Sequence, residues 1–392
     1  MTIIILSLFF IILIYLIIYA YIKTTYQFWA YQPVFHVYNI FYWFYPPGII
    51  DPNLPEKNKF TNTNNIITTH DMHDTNYDES LKLIQNHFFK QKKSQFNPLI
   101  NNFKPYFIGH YDKCFFSSYY KDTYITEDNN IIEDKKLIGF MTSRPLRAFV
   151  NNNLLNVYYV DYLCVDKEHR KSGIAPEIIQ THIYNSRNEN NNISVQLFKR
   201  DADLTGIVPI TIYYNYVFDI LKWNKPVKTN PNFKVIHLNS SNFHILHELI
   251  KDNLKHIFNI FITPEYTHIL ELSKTSNIYI FSSMINNTII GFYFFRDSCT
   301  IYKNFNVFEC FASVCINQKF QKDFIIGFHY AMFNCFKMKN FKFLHIENVS
   351  HNYLIIKEIL KSKKPLMTIP SAFYFYNFAY TPVLPHNFFA IY

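Results

Sequence analysis

The chain has 392 residues, 19% of them aromatic, only 7 glycines, and a net charge of +9. Its length leaves room for two domains of ordinary size, and its charge suits a phosphorylated ligand, a membrane surface or a nucleic acid. Lys and Arg gather in no dense block and the aromatics lack nucleic-acid motif spacing, which sets nucleic acid aside; the 6 cysteines (Cys114, Cys164, Cys299, Cys310, Cys315, Cys335) make no CxxC pair and the 16 histidines no HxxxH pair, which sets aside a disulfide framework and a metal site.

Thr2 to Ile22 is almost wholly apolar and about long enough to cross a bilayer. No basic n-region precedes it and no small-x-small cleavage site stands before Lys23. The expectation is therefore an uncleaved transmembrane anchor over residues 1–22 rather than a signal peptide. Lys23 on its C-terminal flank places the body of the protein in the cytosol by the positive-inside rule. Tyr26-Gln27-Phe28-Trp29-Ala30-Tyr31-Gln32-Pro33-Val34 follows; beside a span, Tyr and Trp also make an interfacial belt. Phe35 to Ile50 is a second aromatic stretch, closed by Pro46-Pro47-Gly48, that can lie on a membrane or on a domain. Residues 51–69 are Asn-, Pro- and Lys-rich and read as a loop. The spacing of Leu81, Ile84 and Phe88 predicts a helix over 78–90, and Phe89 to Phe96 reads as a flexible basic segment through Lys90, Lys92 and Lys93.

Strands dominate from Phe115, and one spans Lys136 to Arg144 around Gly139. Val157 to Val165 is Tyr-rich and β-branched and predicts a strand; Asp166 to Gly173 is a charged turn; Ile174 to about Ser186 predicts a helix. A polar turn between strand and helix leaves free N–H groups at the helix start, which with the helix dipole bind anions. In Arg170-x-x-Gly173-x-Ala175, Gly173 lets a phosphate approach the backbone, Ala175 withholds bulk, and Arg170 and Lys171 supply charge. This is also the pyrophosphate-binding spacing of acyl-CoA transferases with the GNAT superfold. From so short a motif, a basic surface turn before an ordinary helix reads equally well.

Val195 to Phe198 is a further strand, Val217 to Leu221 resumes an apolar run, and residues 222–232 read as a linker. Beyond it the pattern repeats. Thr288 to Arg296, with Gly291, echoes Leu137 to Arg144, and Phe311 to Lys319 echoes Tyr162 to Lys167, in the same order at nearly the same separation. The expectation is two tandem α/β units, the second without the phosphate turn, because Gln321-Lys322-Asp323-Phe324 stands in place of Arg170 to Gly173. From Ser371 to Tyr392 there are many aromatics and no charged side chain. Such a tail either carries the terminal carboxylate into the interior or is a last core strand followed by a mobile end.

Together these pieces resemble the N-myristoyltransferase family, from Tyr26 to Tyr392. Tyr26-Gln27-Phe28-Trp29-x-x-Gln32-Pro33 is similar to the family's YxFWxTQP segment, which wraps acyl-CoA, and Lys136-Leu137-Ile138-Gly139-Phe140 to its KLVGFI strand. Tyr162-Leu163-Cys164-Val165, with Arg170 and Ala175-Pro176, resembles FLCVHKxLRSKRxAP. Lys337-Met338-Lys339-Asn340-Phe341 resembles KMKGF, and Phe373 to Phe378 the late YYLYNW strand. The resemblance implies an α/β (α+β) fold of two tandem GNAT-like units in pseudo-twofold relation behind one transmembrane helix. Residues 23–225 would bind acyl-CoA and 226–392 the peptide. It implies transfer of a myristoyl group from myristoyl-CoA, as co-substrate and without a prosthetic group, to the N-terminal glycine amine of peptides or proteins. On this basis the backbone amides of Tyr162 and Leu163 form the oxyanion hole, and the C-terminal carboxylate of Tyr392 is the base. Acyl-CoA contacts fall to Tyr26, Gln27, Phe28, Trp29, Cys164, Val165, Arg170, Lys171, Ser172, Gly173, Ile174 and Ala175, and peptide contacts to Asp161 and Tyr374.

The chain departs from the family at several points. Asp161 stands where the family usually has Asn beside the peptide amine, and the RSKR turn is reduced to Arg170-Lys171-Ser172-Gly173. The family's acidic loop near the peptide entrance is replaced by Lys90 to Ser94, its Trp-His pair by Asn215-Tyr216, and a Thr near the amine by Lys199. Two other readings are a non-catalytic descendant that binds acyl-CoA or lipid at a membrane, and an ordinary GNAT acetyltransferase. The latter leaves Tyr26 to Trp29 and the second half unexplained.

Overall fold

In the computed structural model, which describes residues 2–70, 76–89, 94–127, 130–201, 206–227, 230–252, 254–338 and 341–392, one long sheet organises the chain. Helices α1 (Thr2–Thr25), α2 (Ile40–Phe44) and α3 (Tyr77–His87) lead into β1 (Phe115–Glu127), β2 (Asn130–Val150), β3 (Asn153–Val165), α4 (Ile174–Glu189), β4 (Val195–Asp201) and β5 (Thr211–Asp219). Then come β6 (Phe233–His237), β7 (Ile260–Thr263), β8 (Ile278–Ile285), β9 (Thr288–Tyr302), β10 (Phe305–Cys315), α5 (Gln321–Met338), β11 (Phe341–Glu347), β12 (Met367–Tyr376) and β13 (Phe388–Ala390).

The predicted duplication is visible in the order of elements. Antiparallel β1, β2 and β3 are followed by α4 and then by β4, which pairs with β3 in parallel. Antiparallel β8, β9 and β10 are followed by α5 and then by β11, which pairs with β10 in parallel. The halves join because β12 inserts between β4 and β5, and β5 pairs with β11. The last strand, β13, runs parallel to β7, which pairs with β2.

Both Ile-Gly-Phe copies hold the same register. Gly139 pairs with Val165, and Gly291 with Cys315. A side chain on Gly139 would strike Ile178 of α4, and one on Gly291 would strike Phe324 of α5. Close helix–strand packing, rather than backbone conformation, therefore requires these glycines.

Several expectations change. The loop expected over residues 51–69 ends in a strand, Ile66–Thr69, on the edge of β1; Ile66 is buried and the unpaired β1 edge satisfies a segment whose Asn and Thr content reads as a loop. The strand around Gly139 is longer than Lys136 to Arg144. The helix expected over 78–90 runs Tyr77–His87, capped where the Asn76 side chain accepts from the Glu79 N–H at 3.3 Å. Lys90, Lys92 and Lys93 lie outside the described residues, as do Lys339 and Asn340. The chain end is no mobile tail: Phe388 to Tyr392 is buried throughout. Among the described residues α1 is the one helix long and apolar enough to cross a membrane, and its side chains from Ile3 to Ile14 are exposed.

Candidate active site

β3 and β4 pair only over Val157–Tyr159 and Val195–Leu197. Beyond Tyr159, β3 continues along β2 to Val165 while β4 continues along β12 to Asp201. A V-shaped notch opens between them. Trp29 stacks on Phe198 at 5.7 Å, and Phe198 on Tyr374 at 5.2 Å, so the notch has an aromatic wall. Gln32 places Trp29: its Nε2 donates to Gln180 Oε1 at 3.1 Å and its Oε1 accepts from the Tyr376 hydroxyl at 2.8 Å. Phe28 is buried in the same cluster as Ile174 and Ile178, Tyr26 is half-buried, and Gln27 is exposed. Tyr374 is fully enclosed beneath Phe198 rather than at an open surface.

On the β3 side, Tyr162 and Leu163 together face the single residue Met141, which makes a β-bulge. Tyr162 takes a left-handed backbone (φ 53°), costing on the order of 1 kcal/mol for a side-chain-bearing residue. Burial of its ring against Phe103, at 4.9 Å, offsets that strain. The Tyr162 N–H, turned out of the ladder, donates to Asp161 Oδ1 at 2.9 Å. Asp161 Oδ2 accepts from Arg144 Nη1 at 3.1 Å. Arg144 is only 1% exposed, its guanidinium 4.9 Å from the rings of both Tyr106 and Tyr159. Burial works against that charge, yet Asp161 and the tyrosines around it hold the guanidinium pKa above its ordinary value. Leu163 is half-buried. Burial pushes the Cys164 thiol up to about 12, so it stays protonated and is no nucleophile.

The turn after Val165 is built on Asp166. Burial would raise its carboxyl, but the Glu168 N–H at 3.0 Å and Lys136 Nζ at 3.1 Å outweigh it and hold the pKa below the ordinary value. Arg170 spends its donors on main chain, Nε on Val165 at 3.2 Å and Nη2 on His87 at 2.5 Å, and so ties the turn to the end of α3. Lys171 (φ 65°), Ser172 and Gly173 are exposed. Gly173 stands at the N-cap of α4 at φ 88° with nothing near the place of a Cβ, and no side chain caps the helix start. Ile174 is buried under the turn and Ala175 half-buried.

The chain end lies at the vertex of the notch. The Tyr392 ring is 5.0 Å from that of Tyr159, the residue after which the strands part. Its hydroxyl donates to Glu347 Oε1 at 2.5 Å and accepts from Arg296 Nη2 at 2.7 Å and Lys199 Nζ at 3.2 Å, while its main-chain oxygen accepts from Arg296 Nη1 at 3.4 Å. Glu347 also accepts from Lys199 Nζ at 3.0 Å, Arg296 Nη2 at 3.2 Å and the Tyr213 hydroxyl at 2.8 Å. Glu309 accepts from Arg296 Nε at 2.5 Å and lies 3.1 Å from His345. Burial opposes every charge here. Pairing outweighs it at two of them, where Arg296 holds Glu309 well below the usual carboxylate range and Glu347 holds Lys199 above the ordinary lysine value; at Glu347 burial wins and raises the carboxyl.

The structure thus gathers Tyr392, Tyr162, Leu163, Asp161 and Trp29 around one notch, with Arg170 to Ala175 at the end of its β3 wall. Sequence reasoning missed Arg144, Arg296, Glu309 and Glu347. The available signal was a charge at the edge of an apolar run within a strand, which calls for a buried partner.

Residues 53–206 match the family model for the N-terminal domain of myristoyl-CoA:protein N-myristoyltransferase. The fold is similar to crystal structures of Saccharomyces cerevisiae N-myristoyltransferase. One with bound myristoyl-CoA gives a TM-score of 0.68 at 14% identity, over 91% of this chain and 94% of that one. Another with bound myristoyl-CoA gives 0.70 at 14% identity, over 92% and 90%. A third, with myristoyl-CoA and inhibitors, gives 0.70 at 14%, over 91% and 91%. No curated protein sequence matches the chain. The matched segment holds Lys136 to Phe140 and Tyr162 to Pro176, whereas Tyr26 to Pro33 and Phe373 to Phe378 fall outside it. The resemblance to the N-myristoyltransferases holds in sequence over 53–206 and in fold over nearly the whole chain.

Proposed function

We propose that the protein is an N-myristoyltransferase, moving the acyl group of myristoyl-CoA to the N-terminal glycine amine of peptides or proteins. The observation that carries this reading is the notch between β3 and β4, open beside a backbone bulge and meeting the buried chain end at its vertex. Residues 23–225 serve the acyl donor and 226–392 the peptide and the base, behind a single membrane-spanning helix over residues 1–22 with the body in the cytosol. Tyr26, Gln27, Phe28 and Trp29 close over the donor from one side, and Cys164 and Val165 line the other. Lys171, Ser172, Gly173, Ile174 and Ala175 receive its phosphates at the start of α4, on a turn that Arg170 holds in place.

An ammonium has no lone pair with which to attack a thioester. The Tyr392 carboxylate takes one proton from the glycine ammonium. The freed amine attacks the thioester carbonyl carbon, and negative charge develops on its oxygen toward the amides of Tyr162 and Leu163. The C–S bond then breaks, CoA leaves as thiolate, and that thiolate takes the extra proton from the product nitrogen. Loss of one oxyanion donor typically costs roughly 3 kcal/mol of barrier. Asp161 borders the incoming peptide with a charge that attracts its ammonium, and the enclosed Tyr374 backs the aromatic wall beneath Phe198.

A second reading has its own support. The Tyr162 N–H already donates to Asp161, and that carboxylate opposes a developing oxyanion, as suits a non-catalytic acyl-CoA-binding protein. Full-length protein in lipid discs, given labelled myristoyl-CoA and a panel of glycine-initiated peptides, distinguishes the two. Acylated peptide supports the enzyme. Calorimetric binding of myristoyl-CoA with no turnover, restored by Asp161→Asn, supports the binding protein.

A further inference from the structure

The stretch from Thr24 to Ile50 contains no Asp, Glu, Lys or Arg, and the part of it that forms α2 is turned outward. Phe41 is 79% exposed, Phe44 73% and Tyr45 81%, with Ile40 and Trp43 also exposed. Large apolar side chains adjacent in one patch, rather than scattered singly, mark a surface that something covers.

Its position shows what does. The foot of α1 is fixed to the body: Ile22 is buried against Gly206, and Lys23 Nζ donates to the Ala30 carbonyl at 3.4 Å and lies 5.2 Å from the Tyr31 ring. The segment leading into α2 packs on the flank of the same helix, with the Tyr38 ring edge-on to Tyr19 at 5.0 Å and Tyr15 facing Ile40 and Phe41 across a small cavity. A bilayer core takes about 20 apolar helical residues, and Tyr19 and Tyr15 lie about 6–12 Å beyond Lys23 at 1.5 Å per residue. A bilayer that contains α1 down to Lys23 therefore reaches α2 as well.

The segment is also built to lose water cheaply. Trp43 Nε1 donates to the Val37 carbonyl at 3.3 Å, the His36 N–H to Asn39 Oδ1 at 2.8 Å, and the Tyr42 and Tyr45 N–H groups to Asn39 and Phe41. Pro46 and Pro47 bring no N–H at all. Burial, with Lys23 nearby, lowers His36 to about 4, so its ring is neutral at physiological pH.

We propose that Ile40–Tyr45 is a second membrane-docking element that inserts into the leaflet receiving the foot of α1. A single helix leaves the body free to swivel about the membrane normal and to tilt. Two contacts joined by the rigid Ile22–Val34 connection fix the tilt.

The test places an environment-sensitive nitrobenzoxadiazole label at Phe44→Cys, at Tyr45→Cys and, as an aqueous reference, at the exposed Val227→Cys, in full-length protein in phosphatidylcholine discs. The unsubstituted protein supplies the background from native cysteines. Labels at 44 and 45 should be quenched by lipid-borne doxyl groups near the headgroups and be about tenfold less sensitive to aqueous iodide than the label at 227, as for aromatic side chains in the interface. Equal iodide quenching at the three positions overturns the proposal. So does protection that appears only in discs holding two copies, which assigns the patch to self-association. None of these readings depends on catalytic turnover.

Discussion

The two halves share one design and differ in what fills it. In the first, β3 and β4 part after Tyr159 and Leu197, and among the described residues no strand pairs with Val160–Val165 on that side. In the second, β10 and β11 pair as far as Cys310 and Ile346, and the gap beyond is plugged from within. The Ser313 N–H donates to Ser350 Oγ at 3.1 Å, the His351 N–H to the Ser313 carbonyl at 3.2 Å, and the Cys315 N–H to His351 Nδ1 at 2.8 Å. The strand–helix turns begin alike, with Asp166 accepting from the Glu168 N–H and Asn317 from the Lys319 N–H, and then diverge: Gly173 precedes α4 with no side-chain cap, whereas α5 follows Gln318–Phe320 directly and without a glycine. The duplicated fold thus keeps two notches, and hydrogen bonds to the main chain fill one and leave the other open.

Extending the chain by one glycine after Tyr392 breaks the comparison most sharply, because it removes the base from the vertex of the open notch. Turnover should fall by about 100-fold or more while myristoyl-CoA binding, by calorimetry, stays unchanged. Next comes the charge cluster behind that vertex. Arg296→Met leaves Glu309 and Glu347 short of a partner and should cost about 3–5 kcal/mol in denaturant unfolding. Opening the plugged notch costs less: Ser350→Ala strands the buried Ser313 N–H and should cost about 1–3 kcal/mol, without creating a second acyl-CoA site.

The plug also carries a pH signature. Burial lowers His351 to about 4, and its Nδ1 must stay unprotonated to accept from Cys315. The unfolded chain takes up that proton near pH 6.5, so the stabilisation is whole above 6.5 and is lost as pH falls toward 4. His351→Ala should reduce the slope of unfolding free energy in this window by about 1.4 kcal/mol per pH unit, one proton's worth. The smallest effect belongs to Gly173→Ala. Its Cβ meets nothing, so only the left-handed φ is strained, by about 1 kcal/mol, and acyl-CoA binding should weaken by less than about tenfold.

The parts legible in the sequence are local. Strand periodicity, the Ile-Gly-Phe echo and the turn ending in Gly173 each depend on neighbours in the chain, and each stands where the pattern put it. The β-bulge at Tyr162 is not legible, because an aromatic residue gives no sign of a left-handed backbone; the packing of Phe103 on its ring compensates the strain. Nor is the Ser350–His351 plug, whose partners lie more than thirty residues away in β10. Arg296 and Glu347 stand out as charges in apolar strands; Arg296 meets Glu309 directly across the β9–β10 pair, but Lys199 reaches Glu347 only because β12 joins the halves. The loop expected over residues 51–69 fails at Ile66–Thr69 for the same reason, since a free sheet edge rather than local preference makes that strand.

The central claim is that an acyl donor enters the notch of the first half and is refused by that of the second. A photoreactive myristoyl-CoA analogue, irradiated on the full-length protein and mapped by peptide mass spectrometry, tests it directly. Labels on segments 26–34, 157–165 and 195–201 are the predicted result. Labels concentrated on 310–315 and 345–352 would contradict it.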